Sequence, residues 1–303
     1  MAADLSKFTH MPIETLAYHY TRGPPRHVEP RDNVIVWLVV AYDEIAQPGQ
    51  PTREVSFSVP LTHPRNKAFY DDMVGWSRIC DRLFIYDYAV NFTHPLIPHP
   101  NLRTIGANMK LYAQHNVKSF RREAHSRKSA TELAELRTWL LAKLAWDPTL
   151  DTQALIDEFC QGYYGAAGGH VIDYINTMHD AVESTGDWLT SGAGPSSAFL
   201  SYETVAAGWR HLQSAAEAVA DNSELSQRVR VAQLPVRYVV LLRWDEFRTA
   251  AQRSDVKWTG PELFDEAFDQ FFDQACAAGV GYFDQLATSA KMRERLTHRR
   301  SKK

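Results

Sequence analysis

The chain has 303 residues, 45% hydrophobic and 23% charged, a globular composition with length for one or two cored domains. Lysine and arginine number 33 against 36 aspartates and glutamates, so the net charge of −3 offers no basic field for nucleic acid. No apolar run approaches the roughly 20 residues of a membrane helix. The opening Met-Ala-Ala-Asp-Leu-Ser-Lys-Phe lacks the apolar core of a signal peptide, so the chain as written is expected in the cytoplasm. An upstream segment would change that expectation to an extracellular or periplasmic one.

In chain order, residues 15–20 read as a strand stopped by Gly23-Pro24-Pro25. Residues 33–40 form a continuous β-branched run, the pattern of a strand buried on both faces. Residues 41–65 are polar and broken by four prolines, which reads as a long excursion. Phe69, Met73, Trp76, Ile79 and Cys80 recur at helical spacing over residues 66–82. A strand over 83–88 follows, then a proline-rich loop. Beyond it come a helix with Leu102, Ile105, Met109 and Tyr112 on one stripe and a short strand over 117–120.

The clearest helix spans residues 130–146 and ends at Asp147-Pro148. Beyond residue 150 strand signals fade, and helices are expected over 151–164, 170–184, 201–220, 223–250 and 261–286. Pro235 is expected to kink or split the fourth of these, and 236–242 is the one run where a strand competes. Cys80, Cys160 and Cys276 lack Cys-x-x-Cys spacing and are expected to be buried small hydrophobes.

Alternating strands and helices argue for parallel strands with helices packed outside. The expected fold is therefore α/β, a partial barrel of β/α type followed by an all-helical region. Residues 1–149 form the first segment, 150–292 the helical region and 293–303 a disordered basic tail.

The blocks "ETLAYHYTRGPPRHVEPRDNVIVWL", "DDMVGWSRICDRLFIYDYAVNF", "PHPNLRTIGANMKLYAQHNVK", "ELAELRTWLLAKLAWDP" and "LIDEFCQGYYG" run in order from Glu14 to Gly165. Together they resemble a bacterial domain of unknown function that follows an α-glucuronidase-N-terminal-like domain in large glycoside-hydrolase-like proteins. The resemblance implies a TIM-type barrel domain, here its C-terminal half, a helical C-terminal region and a carbohydrate substrate. It also implies further strands ahead of the first one seen here, so the chain is expected to be a truncated gene product, a fragment, or a subunit whose barrel a partner chain or a second copy completes. Where the family carries acids at strand ends, this chain has Asp43 and Glu44 after the second strand and Glu123 after the fourth, shifted by one or two positions. On a strand, a one-residue shift turns a side chain to the opposite face.

Glycoside hydrolysis needs two carboxyls flanking the scissile bond. Asp87, between Tyr86 and Tyr88 at a strand end, is the first candidate, and Glu123 the second. Arg121 and Arg122 beside Glu123 favour its ionised form, which suits a nucleophile, a base or a clamp for an acidic sugar. Tyr18, Tyr20, Tyr86 and Tyr88 offer ring surface for sugars and Asn91 a hydrogen bond to a hydroxyl, while prolines stiffen the rim. His94 and His99 lack a helical ligand spacing, so no metal is assigned and no cofactor is expected. Against hydrolysis stand two rival readings, a non-catalytic sugar-binding or scaffold remnant and a helical interaction protein working through residues 150–290.

Overall fold

Strand β2 (Val34–Val39) is built from Val-Ile-Val-Trp-Leu-Val, side chains that suit a pleated, buried surface. It lies between β1 (Ile13–Ala17) and β3 (Leu83–Tyr88), and β3 in turn pairs with β4 (Val117–Glu123). All three pairings are parallel and the order is consecutive, β1-β2-β3-β4. This is the arrangement in a computed structural model of the chain, which describes residues 11–40, 54–88, 90–123, 131–281, 283 and 289–300.

Helix α1 (Lys67–Ile79) links β2 to β3, and α2 (Leu102–Gln114) links β3 to β4. Parallel crossovers are right-handed, so a consecutive order puts both helices on one face of the sheet. Val36, Leu38, Leu83 and Ile85 point to that face and are at most 1% exposed. Each such burial contributes about 1.5–3 kcal/mol. The opposite face is less covered, with Leu16 of β1 56% exposed.

The strand expected over 15–20 ends early, because His19 takes a left-handed φ of 50° and opens a 3-10 turn (His19–Thr21). The expected helix over 66–82 and strand over 83–88 correspond to α1 and β3, while β4 runs three residues past the expected end. No helix among the described residues is long and apolar enough to cross a membrane.

The chain divides into two compact units. One comprises residues 1–89 and 104–124, and the other 90–103 and 125–303, so the division does not fall at residue 149. The second unit is helical: α3 (Ala134–Trp146), α4 (Thr152–Tyr164), α5 (Gly168–Thr185), α6 (Tyr202–Ala218), α7 (Ser223–Leu242), α8 (Trp244–Arg253), α9 (Phe264–Ala277) and α10 (Ser289–Arg300). The starts of α4 and α7 are capped by side chains. Asp151 accepts the Ala154 N–H at 2.7 Å and Asn222 accepts that of Leu225 at 3.0 Å.

Pro235 does not split its helix. Helix α7 runs unbroken through Pro235, held between the buried Leu234 and Val236, and residues 236–242 are helical. The break falls at Arg243, whose guanidinium donates to the carbonyls of Pro195 and Leu200. Of the stretch expected as a disordered tail, residues 293–300 belong to α10, with Leu296 buried. Cys80 and Cys160 are buried, whereas Cys276 is exposed.

Helices α5 and α6 pack closely at Gly208. A Cβ there would lie 2.5 Å from Met178 Cε and 3.2 Å from the Tyr174 ring. Gly208→Ala is therefore expected to lower the unfolding free energy by about 1–3 kcal/mol, an overpacking cost readable by urea denaturation. A variant as stable as the parent would contradict the close approach.

Candidate functional site

On β3 the side chains alternate, so Phe84, Tyr86 and Tyr88 share the face opposite the helices. The parallel register adds Trp37 of β2 beside Phe84, and Arg121 of β4 beside Tyr86. The rings meet edge to face: Trp37 and Phe84 centroids lie 4.9 Å apart, and those of Tyr86 and Tyr88 lie 5.4 Å apart. Arg121 holds its guanidinium 5.2 Å from the Tyr86 ring centroid. Trp37 donates its indole N–H to Glu14 Oε2 at 3.2 Å. The result is an aromatic ladder, half-buried, with one exposed cation and one exposed carboxylate at its sides.

Asp87 sits between the two tyrosines in sequence but on the other face of the strand, the one shared with Leu83 and Ile85. It is 6% exposed, and its Oδ2 lies 3.6 Å from Arg122 Nε. Burial pushes its carboxyl above the usual carboxylate range, while Arg122 pulls in the opposite direction. Tyr112 of α2 is near enough for Asp87 to act on its hydroxyl, which burial already drives well above the phenol range. That hydroxyl has no hydrogen-bond partner among the described residues. The expectation that Asp87 opens toward a substrate mouth is thus not met, because strand alternation turns it under the helices.

Of the other candidates, Tyr86 and Tyr88 belong to the ladder, whereas Tyr18 and Tyr20 lie at the 3-10 turn after β1. Tyr18 packs against His19 with ring centroids 3.6 Å apart, and Tyr20 is 89% exposed. Asn91 is 1% exposed and fully engaged. Its Nδ2 donates to the Ala193 carbonyl at 2.6 Å and its Oδ1 accepts the His94 N–H at 2.8 Å. This amide fastens the proline-rich loop rather than reaching toward a sugar. Glu123 is the last residue of β4, its Cα opposite that of Tyr88. Asp43 and Glu44 lie outside the described residues.

A sequence profile described as Domain of unknown function (DUF4838) matches residues 2–176, more than half of the chain. The chain belongs to the DUF4838 family. No curated protein and no solved structure matches it.

The matched DUF4838 span holds β1 to β4, α1 to α4 and the first half of α5, and it includes a buried polar network that sequence reading missed. Glu132 accepts the His99 N–H and the Tyr174 hydroxyl, both at 2.9 Å, and lies 3.5 Å from Arg137 Nη2. Arg137 in turn donates to Asn101 and to the His99 carbonyl. Burial raises the Glu132 carboxyl and Arg137 opposes the rise. Leu133, next in sequence, adopts a left-handed φ of 48° to begin α3. Every oxygen of Glu132 is engaged, so this DUF4838 network works as a fastening between the proline-rich loop, α3 and α5. Trp37 and Phe84 also escaped the sequence reading, which names Arg121 only as a neighbour of Glu123. The signal that would have found them is the even spacing of rings in Phe84-Ile85-Tyr86-Asp87-Tyr88, read with parallel register.

Proposed function

We propose that this DUF4838 chain is a glycoside-hydrolase-like domain that binds a glycan on the sheet face opposite its helices, and that the bound sugar carries an acid group. The single observation that supports this is the ring ladder of Trp37, Phe84, Tyr86 and Tyr88 flanked by Arg121. Sugar rings present flat C–H faces that pack on aromatic rings, and a guanidinium pairs with a uronate carboxylate. The sheet is read as four consecutive strands of a β/α barrel, a reading supported by its consecutive parallel order. In such a barrel this face looks inward and the carboxyl ends of the strands, where Tyr88 and Arg121 stand, form the binding side. Further strands pairing at β1 or β4 are the completion this reading implies.

Binding is favoured over hydrolysis because Asp87 turns away from the ladder, which leaves it unable to flank a bond held there. Titration calorimetry with neutral and glucuronate-bearing oligosaccharides tests the proposal. Tyr86→Ala is expected to weaken binding about tenfold, or ~1.4 kcal/mol. Arg121→Gln is expected to weaken the acidic ligands selectively and to flatten their salt dependence. Asp87→Asn should leave binding unchanged. Turnover of nitrophenyl glucuronides that disappears in Asp87→Asn would overturn the preference for binding.

A further inference from the structure

Both edges of the sheet are open among the described residues, since β1 pairs only with β2 and β4 only with β3. An open edge offers a row of backbone donors and acceptors to another strand. Apolar exposure gathers near the first edge: Met11, Leu16, Tyr20 and Val28 are all exposed, on β1 or close to it in sequence. The two edges also differ in charge. On the ladder face β1 carries the exposed Glu14, and β4 carries the exposed Arg121.

The register decides whether those two charges can meet. Leu16, Trp37, Phe84 and Ser119 stand in one row across the four strands. Eight parallel strands close into a barrel whose interior is filled by side chains, so two copies of this sheet supply the number required. The shear of such a barrel is about eight residues, and half of it, about four, falls to each copy. Barrel strands coil in the right-handed sense, so a row followed from β1 to β4 steps back toward the amino ends of the strands. Ser119 therefore comes level with position 12 of a second copy. Two residues on, Arg121 comes level with Glu14 of that copy and on the same face. On the other face, the half-buried Phe120 comes level with the half-buried Ile13.

We propose that two copies of this chain close into one eight-stranded parallel barrel, β1 of each pairing with β4 of the other, with Glu14 against Arg121 at both seams. The inference rests on the barrel reading of the sheet and not on the glycan. Opposite charges directly across a strand pair favour this register over a slipped one. The two seams are related by a two-fold axis, so the assembly closes and leaves no edge for a third copy. Arg121 has five N–H donors, enough to hold this carboxylate and a uronate together.

Light scattering on the full chain without sugar is expected to give twice 34.5 kDa. Glu14→Arg and Arg121→Glu, each alone, set like charges at both seams and are expected to weaken association at least about tenfold. Mixing the two variants restores an opposite pair at each seam, so the mixture is expected to regain the dimer. Hydrogen exchange of the unaltered chain, which decides even if a variant does not fold, should slow in residues 13–17 and 119–122 as concentration rises. A single-copy mass at every concentration would overturn the proposal, as would a dimer in which those segments gain no protection. A single-copy chain that still binds acidic oligosaccharides would sink the dimer and leave the glycan reading standing.

Discussion

Replacing Arg137 with leucine is expected to lower the free energy of unfolding by about 3–5 kcal/mol, because it leaves the Glu132 carboxylate buried without its cation. The residue is 4% exposed, and its side chain spans Glu132, Asn101 and the His99 carbonyl. Glu132 would keep the His99 N–H and the Tyr174 hydroxyl, two neutral donors that do not compensate a buried negative charge. Its carboxyl, already raised by burial, rises further once Arg137 is gone and takes up a proton. Urea unfolding followed by circular dichroism reads the effect. A loss below about 1 kcal/mol would show that the network is ornamental, since that is the range of an ordinary exposed pair.

Acidification is expected to destabilise the chain through His179, by about 3 kcal/mol between pH 6.5 and 4. Two hydrogen bonds assign its tautomer: Nδ1 donates to the Ile175 carbonyl at 2.8 Å, and Nε2 accepts the Leu102 N–H at 3.0 Å. His179 thereby caps the first turn of α2 from α5, satisfying a donor that has no partner inside its own helix. Burial, aided by the positive charges of Arg103 and Arg137, lowers its pKa to about 4. In this window the unfolded chain binds the proton and the folded chain does not. Stability is therefore complete above pH 6.5 and is lost as pH falls through 4. Glu132 and Asp87, both raised by burial, act with the opposite sign, so the contribution of His179 is isolated by comparison with His179→Gln. That variant is expected to lack the added steepness between pH 6.5 and 4, and a slope equal to the parent's would contradict the assignment.

What could be read in the sequence depended on how local each determinant is. Val34–Val39 and Leu83–Tyr88 carry their strand signal in β-branched and aromatic side chains at neighbouring positions, and α1 and α4 carry theirs in helical periodicity. The end of β1 was not readable, because it turns on a left-handed φ at His19 rather than on glycine or proline. At Pro235 the burial of its neighbours outweighs the local rule. Asp87 shares its parity with Leu83 and Ile85, so its orientation was implicit in the apolar half of the strand. The tyrosines on either side drew attention to the wrong face. The roles of Asn91 and Glu132 depend on partners far along the chain, Ala193 for the first and His99 and Tyr174 for the second. No local pattern announces contacts of that reach.

Hydroxyl-radical footprinting with and without a glucuronate-bearing oligosaccharide interrogates the ring ladder side chain by side chain, read by mass spectrometry. Protection concentrated on Trp37, Phe84, Tyr86 and Tyr88, with the exposed Tyr20 oxidised equally in both conditions, is the predicted result. Unchanged oxidation of those four rings at a ligand concentration that saturates binding would mean the sugar sits elsewhere.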